Sequence, residues 1–495
     1  MLKDKVANPS LRKRIMPADE AASFIKNGMN VAMGGYTSCG YPKVISSELV
    51  ARKKRGEELA IHLLTGSMVG PEIHEALGEA GVLSRFAPLI TSKILAGQAN
   101  AGEAHYVEQP MNRLPRLLRG RAFGSLDVAV VEAVAVTREG YIVPSNSGGM
   151  IPNFLEAAKQ VIVEVNTAQP EELYGLHDIY LSEPPPAAKP IPILSAGHRI
   201  GKPYALVDPR KIAAIVASEI PDYVPESRGT VAMPEITGHL LNFLELESRR
   251  TMGGRLVPIQ TGFGNLTNAI LGAFGESNFR ELEFFCGGVV AEHLALMMAG
   301  KTRTISTGSL QMGKYTIELL RKHPEIFREQ VVIRSTDVAN NGEVVARLGL
   351  IALNSGIEID IYGNVNASHI MGSRVVNGLG GGANFAQNAG LSIVMLPSVS
   401  KNGDISAVVP MVSHHDIIEH DVDVVITENG VADLRGLDET ERARSVIANC
   451  AHPEYRDRLA RYLDTAILRY GGHHPIILEE ALSWHQRLRD TGSMR

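Results

Sequence analysis

Residues 377–384 read Asn-Gly-Leu-Gly-Gly-Gly-Ala-Asn. Glycines this dense leave backbone N–H groups uncovered by Cβ atoms, so they can face a negatively charged or polarised oxygen. Apolar sequence brackets the run. Ile357, Ile359 and Ile361 alternate with Glu358 and Asp360 before it, and an apolar stretch at 391–396 follows it. A second such stretch, Gly34-Gly35-Tyr36-Thr37-Ser38-Cys39-Gly40, lies between the apolar residues 31–33 and a helical pattern over 42–52. Strand, glycine-rich loop and helix in that order bind phosphate or carboxylate at a helix N-terminus. Residues 59–64 lead in the same way into Thr65-Gly66-Ser67. Two other groupings carry less. Gly378, Gly380 and Ala383 satisfy G-x-G-x-x-A, but no acidic residue ends a following strand at the spacing of a dinucleotide site. His414, His415 and His420 stand near Asp416 and Glu419 at spacings that match no zinc signature, so no metal is expected.

Apolar runs that read as strands position these loops. They fall at 126–131, 161–165 and 212–216, with helical stretches separating several, as in parallel βαβ units. The second half repeats the style, with strands expected at 256–259, 282–285, 331–333, 359–361, 393–396 and 424–426. Ser182-Glu183-Pro184-Pro185-Pro186 reads as a rigid surface linker. A second polar, proline-bearing break covers 221–229, and the domain boundary is placed there. The expected fold is α/β, with two similar open α/β domains at 1–222 and 223–495. No strict internal repeat accompanies the likeness of the halves.

Composition narrows the function. The net charge of −5 and the lack of a long Lys/Arg block argue against a nucleic-acid partner. Cys39, Cys286 and Cys450 are too far apart for a disulfide framework or a zinc motif and suit a reducing compartment. The basic N-terminus lacks the apolar core of a secretory signal, and no apolar run reaches the ~18 residues that span a bilayer. A cytoplasmic protein without a membrane partner is expected.

Longer motifs carry a family resemblance. DIYGNVN, NGLGGGANF, VVPMVSHHDIIEHDVDVVITENGVADLRG and NCAHPEYRD stand beside GGYTSCGYPK, LLTGS, QTGFGN and GHRIGKPYALVDPRKI. Together they resemble the acetyl-CoA hydrolase/transferase family, within the class I CoA-transferases. The resemblance covers nearly the whole chain. It implies the class I CoA-transferase type of two-domain α/β fold, a homodimer and a site in the cleft between domains. It also implies an acyl-CoA and a small carboxylate as substrates, with coenzyme A as the carried group. Such enzymes relay CoA through a glutamate, which forms an acyl anhydride and then a glutamyl-CoA thioester.

Here that glutamate is missing. Counting back from Gly300-Lys301 places Gly287, in Cys286-Gly287-Gly288, at the family's glutamate position. Three readings follow: other chemistry on the thioester, such as hydrolysis, decarboxylation or C–C cleavage; a non-catalytic CoA-binding subunit beside an active paralogue; or a gap in the count. Cys286 reads either as an acylatable thiol or as a small buried residue. The resemblance further implies that Gly381 N–H, flanked by Gly380, Gly382 and Asn384, faces the thioester oxygen. It puts Asn340 near the thioester and makes Glu428 the acid/base candidate. Gly262, Gly264, Asn265 and Asn268 resemble the segment along the pantetheine, and Ser67 and Arg199 fall in segments like the acyl-carboxylate site.

Overall fold

The strand Val128–Val136 is Val-Ala-Val-Val-Glu-Ala-Val-Ala-Val, with all but one residue buried. A run apolar on both faces belongs inside a parallel sheet covered on both sides. In the computed structural model, which describes residues 2–224 and 233–495, that is where it lies. It pairs in parallel with Asn30–Met33 on one side and Gln160–Asn166 on the other. The sheet runs His105–Tyr106, Leu83–Ala87, Ile61–Thr65, Asn30–Met33, Val128–Val136, Gln160–Asn166, Ile212–Ser218, and Ile142–Pro144 adds an antiparallel pair to Val128–Val136. Residues 225–229 of the second proline-bearing break lie outside the described residues.

Packing divides the chain into two units, Met1–Glu226 with Glu283–Arg347, and Ser227–Leu282 with Leu348–Arg495. The first unit also contains all of the strand Leu282–Cys286 but its first residue, with Thr302–Thr307, Val331–Arg334 and His177–Asp178 following as successive neighbours, the last three paired in parallel. In the second unit Ile259–Thr261, Ile351–Ser355, Leu391–Met395 and Val424–Thr427 pair in parallel, and Gly430–Asp433 closes the edge antiparallel. Both units are therefore α/β. The helix Glu439–Cys450 begins with a reciprocal cap. Glu441 N–H donates to Asp438 Oδ1 at 2.8 Å and Asp438 N–H to Glu441 Oε2 at 3.0 Å.

The alternation at 357–361 forms a strand of three residues only, Glu358–Asp360, in a small sheet with Val365–Asn366 and Val408–Val409. Its charged members do not face water, because Glu358 and Asp360 are buried. Asp360 Oδ1 accepts the N–H groups of Tyr362, Gly363 and Asn364 at 2.9–3.1 Å and so shapes the turn after the strand. Glu358 accepts from Asn366, Ser413 and His485. Internal donors replace the solvent that an alternating pattern implies.

Candidate functional site

In the first unit the glycine-rich loop 34–40 reverses tightly. Tyr36 and Cys39 exchange backbone hydrogen bonds of 2.9 and 3.1 Å, and Thr37 and Ser38 adopt positive φ to allow it. The turn holds Tyr36 inside the unit with 1% exposure. Three glycines from separate segments make room for its ring. A Cβ on Gly149 would lie 2.9 Å from the Tyr36 ring, one on Gly308 3.2 Å, and one on Gly287 3.3 Å from its hydroxyl oxygen. The hydroxyl donates a short hydrogen bond to Asn340 Oδ1. A Cβ at position 287 would stand 3.9 Å from Asn340 Nδ2. The structure thus brings Gly287 and Asn340 together at the end of the strand Leu282–Cys286, with Tyr36 between them.

Asn340 also lines a cleft of about 520 Å³, within the size range of small-ligand sites. Its other walls include Arg116 and Arg119 of the helix Leu114–Arg119, Ser182 and Pro184 of the proline-rich segment, and Asp337. Ser182 Oγ donates to Asp337 Oδ1 and Asn153 Nδ2 to Asp337 Oδ2, each at 2.7 Å. The segment expected as a rigid surface linker is largely exposed and also forms a cleft wall.

The helix after the loop, Val44–Lys54, does not offer its N-terminus to a ligand. Glu164, fully buried on the neighbouring strand, accepts the N–H groups of Lys43, Val44 and Ile45 at 2.7, 3.0 and 3.3 Å. The expected anion position is filled by the protein's own carboxylate. Lys43 is also buried, with Nζ 2.5 Å from Glu132 and 2.8 Å from Asp222. Asp222 in turn accepts Gly40 N–H at 3.1 Å, which ties the end of the loop to the segment at 222. Burial pushes the Glu132 carboxyl up to about 7, against the pull of the Lys43 charge; Glu164 is raised for the same first reason.

Ser67 is buried, with its carbonyl accepting from Thr65 Oγ1 at 2.7 Å. The Arg199 guanidinium points at five backbone carbonyls, those of Gly175, Leu176, His177, Arg328 and Val331, at 2.8–3.3 Å. Burial lowers its pKa from the usual arginine value. Arg199 is not among the residues lining the Asn340 cleft. Cys286 is buried at the strand end.

In the second unit Gly380 has φ +63°, and Gly381 caps the short helix Gly382–Asn388. Asn384 is buried on that helix, and Asn354 Nδ2 donates to Gly382 O at 3.4 Å. Gly264, at φ +107°, precedes the helix Asn265–Glu276, where Asn268 N–H donates to Gly264 O at 3.1 Å. Gly262, Gly264, Asn265 and Asn268 are all at least partly open to solvent. Glu428 follows the strand Val424–Thr427, and its carboxylate accepts both Ser398 N–H, at 2.8 Å, and Ser398 Oγ. His414 faces Asp416 at 3.3 Å and His420 faces Glu419 at 3.9 Å.

Comparison with known proteins gives this geometry a lineage. The N-terminal domain model of acetyl-CoA hydrolase/transferase matches residues 1–217, and the C-terminal domain model matches residues 321–463. The succinyl-CoA:acetate CoA-transferase of Clostridium kluyveri is 40% identical over 494 residues, which cover 99% of this chain and 92% of that protein. The chain belongs to the acetyl-CoA hydrolase/transferase family. Another relative, the acetyl-CoA hydrolase of Schizosaccharomyces pombe, is 36% identical across 100% of this chain and 99% of its own. The solved structure of RipA from Yersinia pestis covers 91% of this chain and 97% of its own, with a TM-score of 0.70 and 19% identity, and shares the fold. As a family member the protein is an acyl-CoA-processing enzyme. Among the described residues no helix is long and apolar enough to cross a membrane.

Reading the family motifs missed two parts of the site. Tyr36 lies inside GGYTSCGYPK, but its link to Asn340 joins residues 304 positions apart, and no local pattern reports such a link. Ser182 and Pro184 were visible as a stiff segment, while the cleft they border exists only after folding.

Proposed function

We propose that this enzyme moves CoA between a short acyl-CoA and a small carboxylate, or hydrolyses the same thioester, without a glutamyl-CoA intermediate. One observation carries the reading: Asn340, anchored by Tyr36, lines a cleft, and its Nδ2 lies 3.9 Å from where a Cβ on Gly287 would stand, a position that offers no side chain to be acylated. An amide N–H directed at the thioester oxygen stabilises the charge that develops there during attack. The attacking atom is then the acceptor's own carboxylate oxygen, or water. Its bond to the thioester carbon forms, the C–S bond breaks and CoA thiolate leaves; where water attacks, the proton it loses goes to the departing thiolate, which leaves as the thiol. In transfer, the thiolate next attacks the acceptor carbon of the mixed anhydride and the donor carboxylate departs.

The same proposal assigns Gly381 a carbonyl-binding N–H within the loop of Gly380, Gly382 and Asn384. It assigns Glu428 the orientation of water, and Gly262, Gly264, Asn265 and Asn268 contacts to the pantetheine. Ser67 stays with the acyl group, whereas Arg199 serves by fixing backbone. Coenzyme A arrives with the substrate, no metal takes part, the division at 222/223 separates two halves of the family architecture, and the protein is a cytoplasmic homodimer. The N-terminal family match, which ends at residue 217, supports that division. A second reading, a non-catalytic CoA-binding subunit, is favoured by the same missing side chain.

Turnover separates the two. Purified protein with acetyl-, propionyl- or succinyl-CoA, with and without acetate, should release thiol or form the exchanged CoA ester. Borohydride added with acyl-CoA should leave activity intact. Inactivation by borohydride would reveal an enzyme-bound thioester and sink direct attack; no turnover of any thioester would favour the silent subunit.

A further inference from the structure

We propose that Tyr36 is a positioning residue for Asn340: its phenol O–H fixes which end of the carboxamide faces the thioester. The proposal rests on the reading that Asn340 donates to the thioester oxygen, and it adds the group that makes donation possible.

A carboxamide has an oxygen end and a nitrogen end of nearly equal size. Turned one way Asn340 donates to a carbonyl oxygen; turned the other way its own oxygen repels it. Tyr36 removes the ambiguity. Its hydroxyl donates to Oδ1, which leaves Nδ2 as the amide end nearer Gly287, 3.9 Å from where a Cβ there would stand. The competing partner of the hydroxyl is Met111 Sδ at 3.5 Å, a weak acceptor. The ring does not swing, because Gly149, Gly308 and Gly287 enclose it so closely that a methyl group on any of them would press on it. Burial raises the phenol pKa above its ordinary value, so the hydroxyl keeps its proton across any workable pH. A donor bonded to an amide oxygen also polarises the amide and strengthens its N–H as a donor. Gly287 has a positive reason to be glycine here, since the atom nearest to a Cβ at that position is the Tyr36 hydroxyl oxygen, at 3.3 Å.

Tyr36→Phe keeps the ring in its slot and deletes only the O–H. On the full-length enzyme, kcat should fall about 10- to 100-fold, less than the roughly 100- to 1,000-fold of an oxyanion donor removed outright, because Asn340 itself remains. KM for acyl-CoA and the melting temperature should stay near wild type. Asn340→Ala should fall at least as far, and the double variant should fall no further than Asn340→Ala alone. Independent, multiplying losses would overturn the proposal, as would wild-type kcat in Tyr36→Phe or a change in KM alone. A second readout does not need turnover. Isotope-edited infrared spectra of bound acyl-CoA carrying ¹³C at the thioester carbon should show a carbonyl shift to lower frequency that Tyr36→Phe reduces. A shift present in wild type and unchanged by Tyr36→Phe indicts Tyr36; no shift in wild type indicts the role given to Asn340, and the inference falls with it.

Discussion

At the scale of single residues, tolerances of a few tenths of an ångström decide the chemistry. Position 287 is not empty space awaiting a carboxylate. A Cβ there would sit 3.3 Å from the Tyr36 hydroxyl oxygen, closer than ordinary contact, while the next ring atom, Cε1, lies at 3.6 Å. Gly287→Glu alone should therefore displace the hydroxyl from Asn340 and cost about 1–3 kcal/mol of stability by overpacking. Combined with Tyr36→Phe, the contact relaxes to 3.6 Å and most of that stability should return. If a carboxylate at 287 can act, the double variant should acquire borohydride-sensitive turnover that neither parent shows. Denaturant midpoints and a borohydride assay on the three proteins check both outcomes. Equal midpoints for the two Gly287→Glu proteins would mean that Tyr36 does not limit the position.

At the scale of elements, buried carboxylates fasten helices and strands, and their partners set how they titrate. Glu164 closes the start of Val44–Lys54, and Glu247, buried on the helix Pro234–Thr251, receives both arms of Arg435 at 2.9 and 3.1 Å. Those hydrogen bonds outweigh burial and, with Arg250 and Thr251, hold the Glu247 carboxyl down at about 2. A carboxyl with a depressed folded pKa binds fewer protons when folded than when unfolded. Its stabilisation is thus complete above the ordinary value of 4.5 and is lost as pH falls toward 2. Glu247→Gln should be less stable than wild type at pH 7, and the gap should narrow as the pH drops below about 4.5. Urea midpoints between pH 7 and 3 measure it, and a gap independent of pH would contradict the assignment. This pair was not legible in advance, because Arg435 lies at the end of a family motif while Glu247 is 188 positions away, outside every motif.

At the scale of the whole molecule, the two units share a grammar of parallel strands, but each is assembled from separated stretches of chain. The family's long motifs make the lineage legible in the sequence, because they are contiguous and hold residue types that this grammar needs. The expected pairing of two chains is a statement at this scale, and light scattering checks it. The dimer should weigh near twice the 53.5 kDa chain, and a mass near 53.5 kDa at micromolar concentration would remove the homodimer from the proposal.

Though the strands Leu83–Ala87, Thr302–Thr307 and Ile351–Ser355 escaped it, residue order alone was enough for the α/β class, the glycine-rich loops, the family and many other strands. Those follow from local periodicity and from contiguous motifs, which need no knowledge of what packs against what. Folding alone decided the rest. It turned Glu358 inward, where Ser413 and His485 satisfy it, and set Glu164 on a helix start that looked ready for a ligand. It also brought Tyr36 across 304 residues onto Asn340. In each case a buried polar group found its partner far along the chain, and a pairing of that kind leaves no periodic trace in the order of residues.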